Sequence, residues 1–88
     1  MLVDVVDVQL RESYRLWLKF DDGVEGEVDI AALVDFDGVF EPLQAPEFFA
    51  AVRVEPALGT IVWPNGADLD SVVLHAAVLE RRTPGAGA

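Results

Sequence analysis

The chain has 88 residues, no cysteine and a formal net charge of −10, from 16 acidic and 6 basic residues. Its length and its 52% hydrophobic content indicate one small folded domain, and without cysteine it forms neither disulfides nor thiolate zinc sites. The acidity repels nucleic-acid phosphates, and we find no signal-peptide pattern and no apolar run of the ~18–20 residues that spans a membrane, so we expect a cytoplasmic protein.

Residues 2–30 predict a three-stranded antiparallel meander with one apolar face. In its first strand the apolar alternation changes phase between Val5 and Val6, which indicates a β-bulge. Residues 14–20 and 24–30 alternate apolar and polar side chains more regularly. These two segments are therefore the second and third strands.

The loops of the meander determine its register. A three-residue loop at 21–23, with Gly23 in the left-handed conformation, aligns apolar residues on one face and cations with acids on the other. The predicted pairs are Phe20–Val24, Leu18–Gly26, Leu16–Val28, Tyr14–Ile30, Lys19–Glu25 and Arg15–Asp29. An equal loop at 11–13 predicts a second set of pairs, namely Leu10–Tyr14, Val8–Leu16 and Val6–Leu18.

The middle of the chain predicts short elements. Residues 31–34 form one helical turn, and residues 39–43 are extended, with apolar side chains at alternate positions. Pro46 suits the first position of a short helix continuing through residues 47–51, and one of its two phenylalanines covers the apolar sheet face. The prediction for this region is thus a turn, an extended segment and a helix.

The last third predicts two strands, at 52–55 and 60–63, and a helix at about 70–82. Residues 83–88 form a disordered tail, because they contain nothing to bury. The predicted fold is a single α+β domain over residues 1–82, with the order β-β-β-α-β-β-α.

A strand, a turn and a helix start meet in residues 59–70. The strand ends at Pro64, which has no N–H for a sheet, and the Asn65-Gly66 pair supplies a turn. We place Trp63 in the core, with its indole N–H bound to a carbonyl. The structural motif comprises Trp63, Pro64, Asn65, Gly66, Asp68 and Asp70.

Two interpretations apply to the polar residues of this motif. Asn65, Asp68 and Asp70 offer oxygen atoms of the kind that bind a hard cation, but their spacing differs from that of an EF-hand loop. Turn formation and helix capping explain the same residues, and we favour that interpretation.

Three stretches resemble a bacterial group, the domain-of-unknown-function family 2442. They are G-V-F-E-P-L at 38–43, A-P-E-F-F-A-A-V-R-V at 45–54 and G-T-I-V-W-P-N-G-A-D-L-D at 59–70. The resemblance extends over about residues 2–80, with a departure at Ser71, where the family often has proline. It implies the same order of elements and no established activity, and some members look like the antidote half of toxin–antitoxin pairs.

The final helix carries one polar stripe, formed by Ser71, His75 and Arg82. Ser71 and His75 lack the third group and the oxyanion hole of a catalytic dyad. The remainder of the helix is apolar, and its excess surface, including Val73 and Ala77, contacts either a second copy or a partner. The alternative is that this helix lies in a groove of its own domain.

Trp17 faces outward in the predicted meander, between Arg15 and Lys19 and opposite Glu27. An aromatic side chain surrounded by charge has the composition of a binding hot spot. The alternative is that a terminal segment covers it. These four residues, with Val73 and Ala77, are the candidate partner-binding residues.

We therefore predict a non-enzymatic protein-binding module, an antitoxin-like or regulatory partner of a basic protein. The alternative is a structural homodimer or accessory subunit. Acidity that serves solubility alone remains a competing explanation of the charge. We predict no catalytic residue, no cofactor, no metal ion, no nucleic acid and no membrane among its functions.

Overall fold

A three-stranded antiparallel sheet forms one side of the computed structural model, which describes residues 3–82. Its strands are β1 (Val5–Leu10), β2 (Arg15–Phe20) and β3 (Glu25–Asp29), with β2 in the centre. The register of β1 against β2 shifts between Val5 and Asp7, so the bulge predicted at this point is confirmed.

The predicted register of β2 against β3 is confirmed. Leu18 pairs with Gly26, Leu16 with Val28, and the cations of β2 lie opposite acids of β3. Gly23 closes the hairpin with φ 91°, a left-handed conformation that glycine adopts at no steric cost.

The predicted register of β1 against β2 is wrong by two residues. The observed pairs are Leu10–Leu16, Gln9–Trp17, Val8–Leu18 and Asp7–Lys19, in place of the predicted Leu10–Tyr14, Val8–Leu16 and Val6–Leu18. Tyr14 belongs to the turn, where Ser13 is left-handed (φ 59°). The Tyr14 ring packs 4.8 Å from that of Phe36, and its hydroxyl donates to the Gln44 carbonyl over 2.6 Å. The even shift keeps Val8 and Leu10 on the predicted side of the sheet, but the bulge places Val5 in the core (2% exposed) in place of Val6 (50% exposed).

Three short helices connect the two sheets: α1 (Ile30–Leu33), a 3₁₀ helix (Gly38–Gln44) and α2 (Pro46–Phe49). The 3₁₀ helix corrects the extended segment predicted at 39–43. The Phe40 N–H donates to the Asp37 carbonyl, a bond that spans three residues and is typical of 3₁₀ structure.

The chain ends with β4 (Arg53–Glu55), β5 (Thr60–Val62) and α3 (Ser71–Arg82). The two strands form a separate antiparallel sheet, which contacts β1 where the Val5 N–H donates to the Gly59 carbonyl. The α+β fold and the predicted order of elements are thus confirmed, whereas the tail predicted at 83–88 lies outside the described residues.

The core lies between the inner face of the first sheet and the elements that follow it. Side chains with 0–1% exposure come from both sheets, α1, α3 and the 3₁₀ helix; they include Leu16, Leu18, Phe20, Val28, Ile30, Leu43, Ile61, Trp63, Leu74 and Val78. Within the described chain, no helix has both the length and the apolar character needed to cross a bilayer.

Candidate functional site

Trp63 lies in the core with 1% of its surface exposed. Its indole N–H donates to the Phe49 carbonyl over 3.1 Å, which confirms the predicted carbonyl partner. The two rings also pack together, with their centroids 5.9 Å apart. Trp63 therefore fastens α2 to the end of β5.

The turn after Trp63 closes on itself through the backbone. The Gly66 N–H donates to the Trp63 carbonyl, the Trp63 N–H donates to the Ala67 carbonyl, and Gly66 has φ 89°. Asn65 contributes both ends of its amide, because its oxygen accepts from Ala67 N–H at 3.1 Å and its nitrogen donates to the Val39 carbonyl at 2.9 Å. Asn65 is thus engaged in holding the turn against the 3₁₀ helix.

The two aspartates of the motif have different positions. Asp70 Oδ1 accepts the Val72 N–H at 2.8 Å and so caps the first turn of α3. Asp68 is exposed and forms a β-bridge with Val62. Both line an open cavity of about 350 Å³. Across residues 3–82, no three His, Cys, Asp or Glu side chains are grouped so that they could hold a metal ion.

Ser71 and His75 do not form a dyad, because each is bonded elsewhere. The Ser71 hydroxyl donates to the Val3 carbonyl at 2.6 Å, and His75 Nε2 lies 2.8 Å from Asp22 Oδ2. The pKa of Asp22 lies below its ordinary value. The main cause is the hydrogen bond that its carboxylate accepts from the Val24 N–H, and the contact with His75 adds to it. The imidazole also meets the Phe20 ring edge-on at 4.9 Å.

The polar side chains of Ser71 and His75 therefore bond to the domain, and the solvent side of α3 carries three exposed apolar residues together with the exposed Glu80 and Arg81. Val72, Val73 and Leu79 are 44%, 49% and 39% exposed. Ala77, the second helix residue proposed from the sequence, is half-buried against the core. Arg82 ends α3, and its side chain lies outside what the structure describes.

The outer face of the first sheet has nine side-chain positions in three rows. The first row consists of Asp7 and Gln9 of β1 and of Arg11, which directly follows this strand. The row of β2 is Lys19, Trp17 and Arg15, and the row of β3 is Glu25, Glu27 and Asp29. None of the nine is buried. The structure thus brings four of the partner-binding candidates together and separates them from Val73 and Ala77.

Trp17 occupies the centre of this outer face, between Gln9 and Glu27. The guanidinium of Arg11 lies 6.0 Å from the Trp17 ring centroid, and Arg11 Nε lies 3.6 Å from Glu27 Oε2. The arrangement has the geometry of a cation–π contact, completed by an ion pair. Sequence reasoning missed Arg11 because it placed this residue in the first loop.

An open groove of about 420 Å³ lies at the end of the first sheet. Leu10, Tyr14 and Phe49 form part of its lining. No pattern in the sequence predicts this groove, because it depends on how the first hairpin packs against α2.

Comparison of the chain with known protein families identifies a matching family. The family described as protein of unknown function (DUF2442) matches residues 5–78. The chain belongs to this family. The part of the chain that matches DUF2442 contains both sheets, the connecting helices and most of α3. No curated protein and no solved structure matches the chain.

Proposed function

We propose that this DUF2442 protein is a non-enzymatic protein-binding module that uses the outer face of its first sheet. The observation that carries the proposal is the position of Trp17, which is half-buried at the centre of nine solvent-facing positions. Tryptophan and arginine contribute most to the energy of protein interfaces, and Arg11 lies beside this ring. The surrounding charges give the face a means of orienting its partner.

The partner that we propose is a basic protein, with an antitoxin-like or regulatory relation between the two. The net charge of −10 attracts and steers such a partner and disfavours nucleic acid. On the outer face, the row of β3 consists of acids alone, Glu25, Glu27 and Asp29. We further propose a bacterial cytoplasmic setting, which suits a chain without cysteine.

Affinity capture tests this proposal with three forms of the protein: wild type, Trp17→Ala and the control Leu58→Ala. Leu58 is 59% exposed in the turn between β4 and β5, away from the outer face. We expect the wild type and Leu58→Ala to retain one basic protein from an extract of the source organism, and Trp17→Ala to lose it while melting at a similar temperature. Undiminished capture by Trp17→Ala would contradict the proposal, as would the absence of any basic protein on the wild type.

The second candidate function is a homodimer formed through α3. The exposed Val72, Val73 and Leu79 favour it, because apolar residues grouped on one helix face are typical of interfaces. Light scattering over a wide concentration range tests it. A dimer that Val73→Glu dissociates supports this candidate, and a monomeric mass at all concentrations rules it out.

A further inference from the structure

We infer that the free edge of β3 binds an extended strand of the basic partner, which adds antiparallel to the first sheet and carries basic side chains at alternate positions. This inference rests on the proposed function and gives its mode of binding. Three observations carry it: the unpaired backbone of β3, its row of acids and a cavity beside its end.

The backbone of β3 has hydrogen-bonding groups on its outer edge. The Phe20 N–H donates to the Val24 carbonyl, and the Ile30 N–H donates to the Tyr14 carbonyl. In an antiparallel pair these bonded positions alternate, so Glu25 and Glu27 direct their N–H and C=O groups away from β2. No hydrogen bond of the described chain reaches these four groups, which form a template for an added strand.

The opposite edge of the sheet is partly blocked, because some of its outward backbone groups are already bonded within the domain. The Val8 N–H donates to the adjacent Asp7 Oδ1 at 2.8 Å, and the Leu10 carbonyl accepts from Arg11 at 3.2 Å. The Val5 N–H is bonded to the turn between β4 and β5. Such devices are how natural sheets prevent unwanted pairing. β3 therefore offers the less obstructed edge of this sheet for strand addition.

Charge determines which strand fits. A second copy of β3 would place acids opposite acids, and like charges directly across a strand pair are destabilising. Among the described residues, Glu25 forms no ion pair within 4.0 Å, and the pair of Glu27 with Arg11 is long, at 3.6 Å. A strand with lysine or arginine at every second position instead places cations opposite Glu25, Glu27 and Asp29 on the outer face.

The residues between those cations face the inner side of the sheet. A cavity of about 190 Å³ lies there, and its lining includes the aliphatic Val28, Leu33 and Ala77 together with the charged Asp29, Glu80 and Arg81. An apolar residue of the added strand would contact the aliphatic part of this lining, next to Val28 and Leu33. The occupant is thus a strand in which basic and apolar residues alternate.

Two-dimensional NMR of the full chain, labelled with ¹⁵N, tests the inference against a synthetic peptide of five lysines alternating with four valines. We expect the amides of Glu25 and Glu27 to shift and to become protected from hydrogen exchange. A peptide of equal composition with lysines and valines in two blocks controls for non-specific attraction to the acidic protein. We expect it to bind about tenfold more weakly or worse, since its side chains do not match the alternation of β3.

Methylation of backbone nitrogens in the peptide distinguishes strand addition from simple charge attraction. In the antiparallel pairing the lysine N–H groups point at β3 and the valine N–H groups point away. N-methylation of the lysines removes those bonds and should weaken binding about tenfold or more. N-methylation of the valines leaves the bonds to β3 intact and should change affinity far less. Equal effects of the two modifications would overturn the inference.

A matched pair of protein variants locates the site. The double variant Glu25→Lys, Glu27→Lys should abolish protection, whereas Glu41→Lys, Glu47→Lys changes the net charge equally at exposed positions in the connecting helices. Equal weakening by both doubles overturns the inference, as does a peptide that leaves the β3 amides unprotected. If Trp17→Ala still loses the captured partner in that case, the proposed function stands and only the edge-binding mode is wrong.

Discussion

Replacement of Trp63 by phenylalanine tests whether the corner between β5 and α3 is a structural joint. The indole is 1% exposed, donates to the Phe49 carbonyl at 3.1 Å and packs on the Phe49 ring. Phenylalanine keeps an aromatic ring at this position and removes both the N–H and part of the volume. The expected loss of stability is therefore the sum of a hydrogen bond and a small cavity.

The magnitude follows from these two parts. The Phe49 carbonyl also accepts from the Val52 N–H at 3.3 Å, so the lost bond leaves it partly satisfied and costs about 1 kcal/mol. A residual cavity of about 40 Å³ costs a further ~1 kcal/mol. The sum of about 2 kcal/mol is a large fraction of the stability of a domain of this size, and it lowers the melting temperature by about 8–16 °C.

Urea and thermal unfolding followed by circular dichroism measure this loss, with Trp17→Phe as the matched control. Trp17 is half-buried on the outer face, and we expect its replacement to cost less than about 1 kcal/mol. The dependence of the unfolding free energy on urea should stay unchanged for both variants. Equal stability losses in the two variants would refute the assignment of Trp63 as the joint.

Three further predictions concern stability. Asp70→Ala removes the cap of α3 and should cost about 1 kcal/mol in urea unfolding, and the exposed Asp68→Ala much less. Gly66→Ala should cost about 1–2 kcal/mol, because φ 89° strains a residue with a Cβ although the space around it is open. Asp22 has a lowered pKa in the folded state, so its contribution is present above its ordinary pKa and lost as pH falls through the folded value. Asp22→Asn should therefore lose less stability than the wild type between pH 6 and pH 3.

Each of these predictions has an outcome that contradicts it. Equal costs for the two aspartate variants would mean that the cap of α3 does not depend on Asp70. A stability gain in Gly66→Ala would show that the turn accepts another conformation. If wild type and Asp22→Asn lost equal stability between pH 6 and pH 3, the bonds to this carboxylate would not differ between the folded and unfolded states.

The sequence was most informative where neighbouring residues determine the structure. The register of β2 against β3 follows from a short loop with Gly23 and from cations that match acids across it. The burial of Trp63 follows from its alternation with Ile61 on one face of a strand, and Pro64 and Gly66 explain where that strand ends. Local turn chemistry and alternation carry enough information for both.

The remaining features depend on contacts between distant parts of the chain. Tyr14 leaves β2 because Phe36 and Gln44 offer its ring and hydroxyl better partners, and this changes the first hairpin. The 3₁₀ helix is held at its Val39 carbonyl by Asn65. The periodicity of either segment cannot predict these long-range contacts. The position of Arg11 beside Trp17 and the partly blocked edge of β1 likewise emerged only from the structure.

The bond from the Ser71 hydroxyl to the Val3 carbonyl joins residues 68 positions apart. During synthesis on the ribosome, the hairpin of β2 and β3 has its contacts available early, because they are close in sequence. The amino-terminal strand, in contrast, gains this anchor only once α3 has emerged. A nascent chain halted before Ser71 should therefore leave the backbone at Val3 open to proteases, even when the hairpins of the first sheet have already formed.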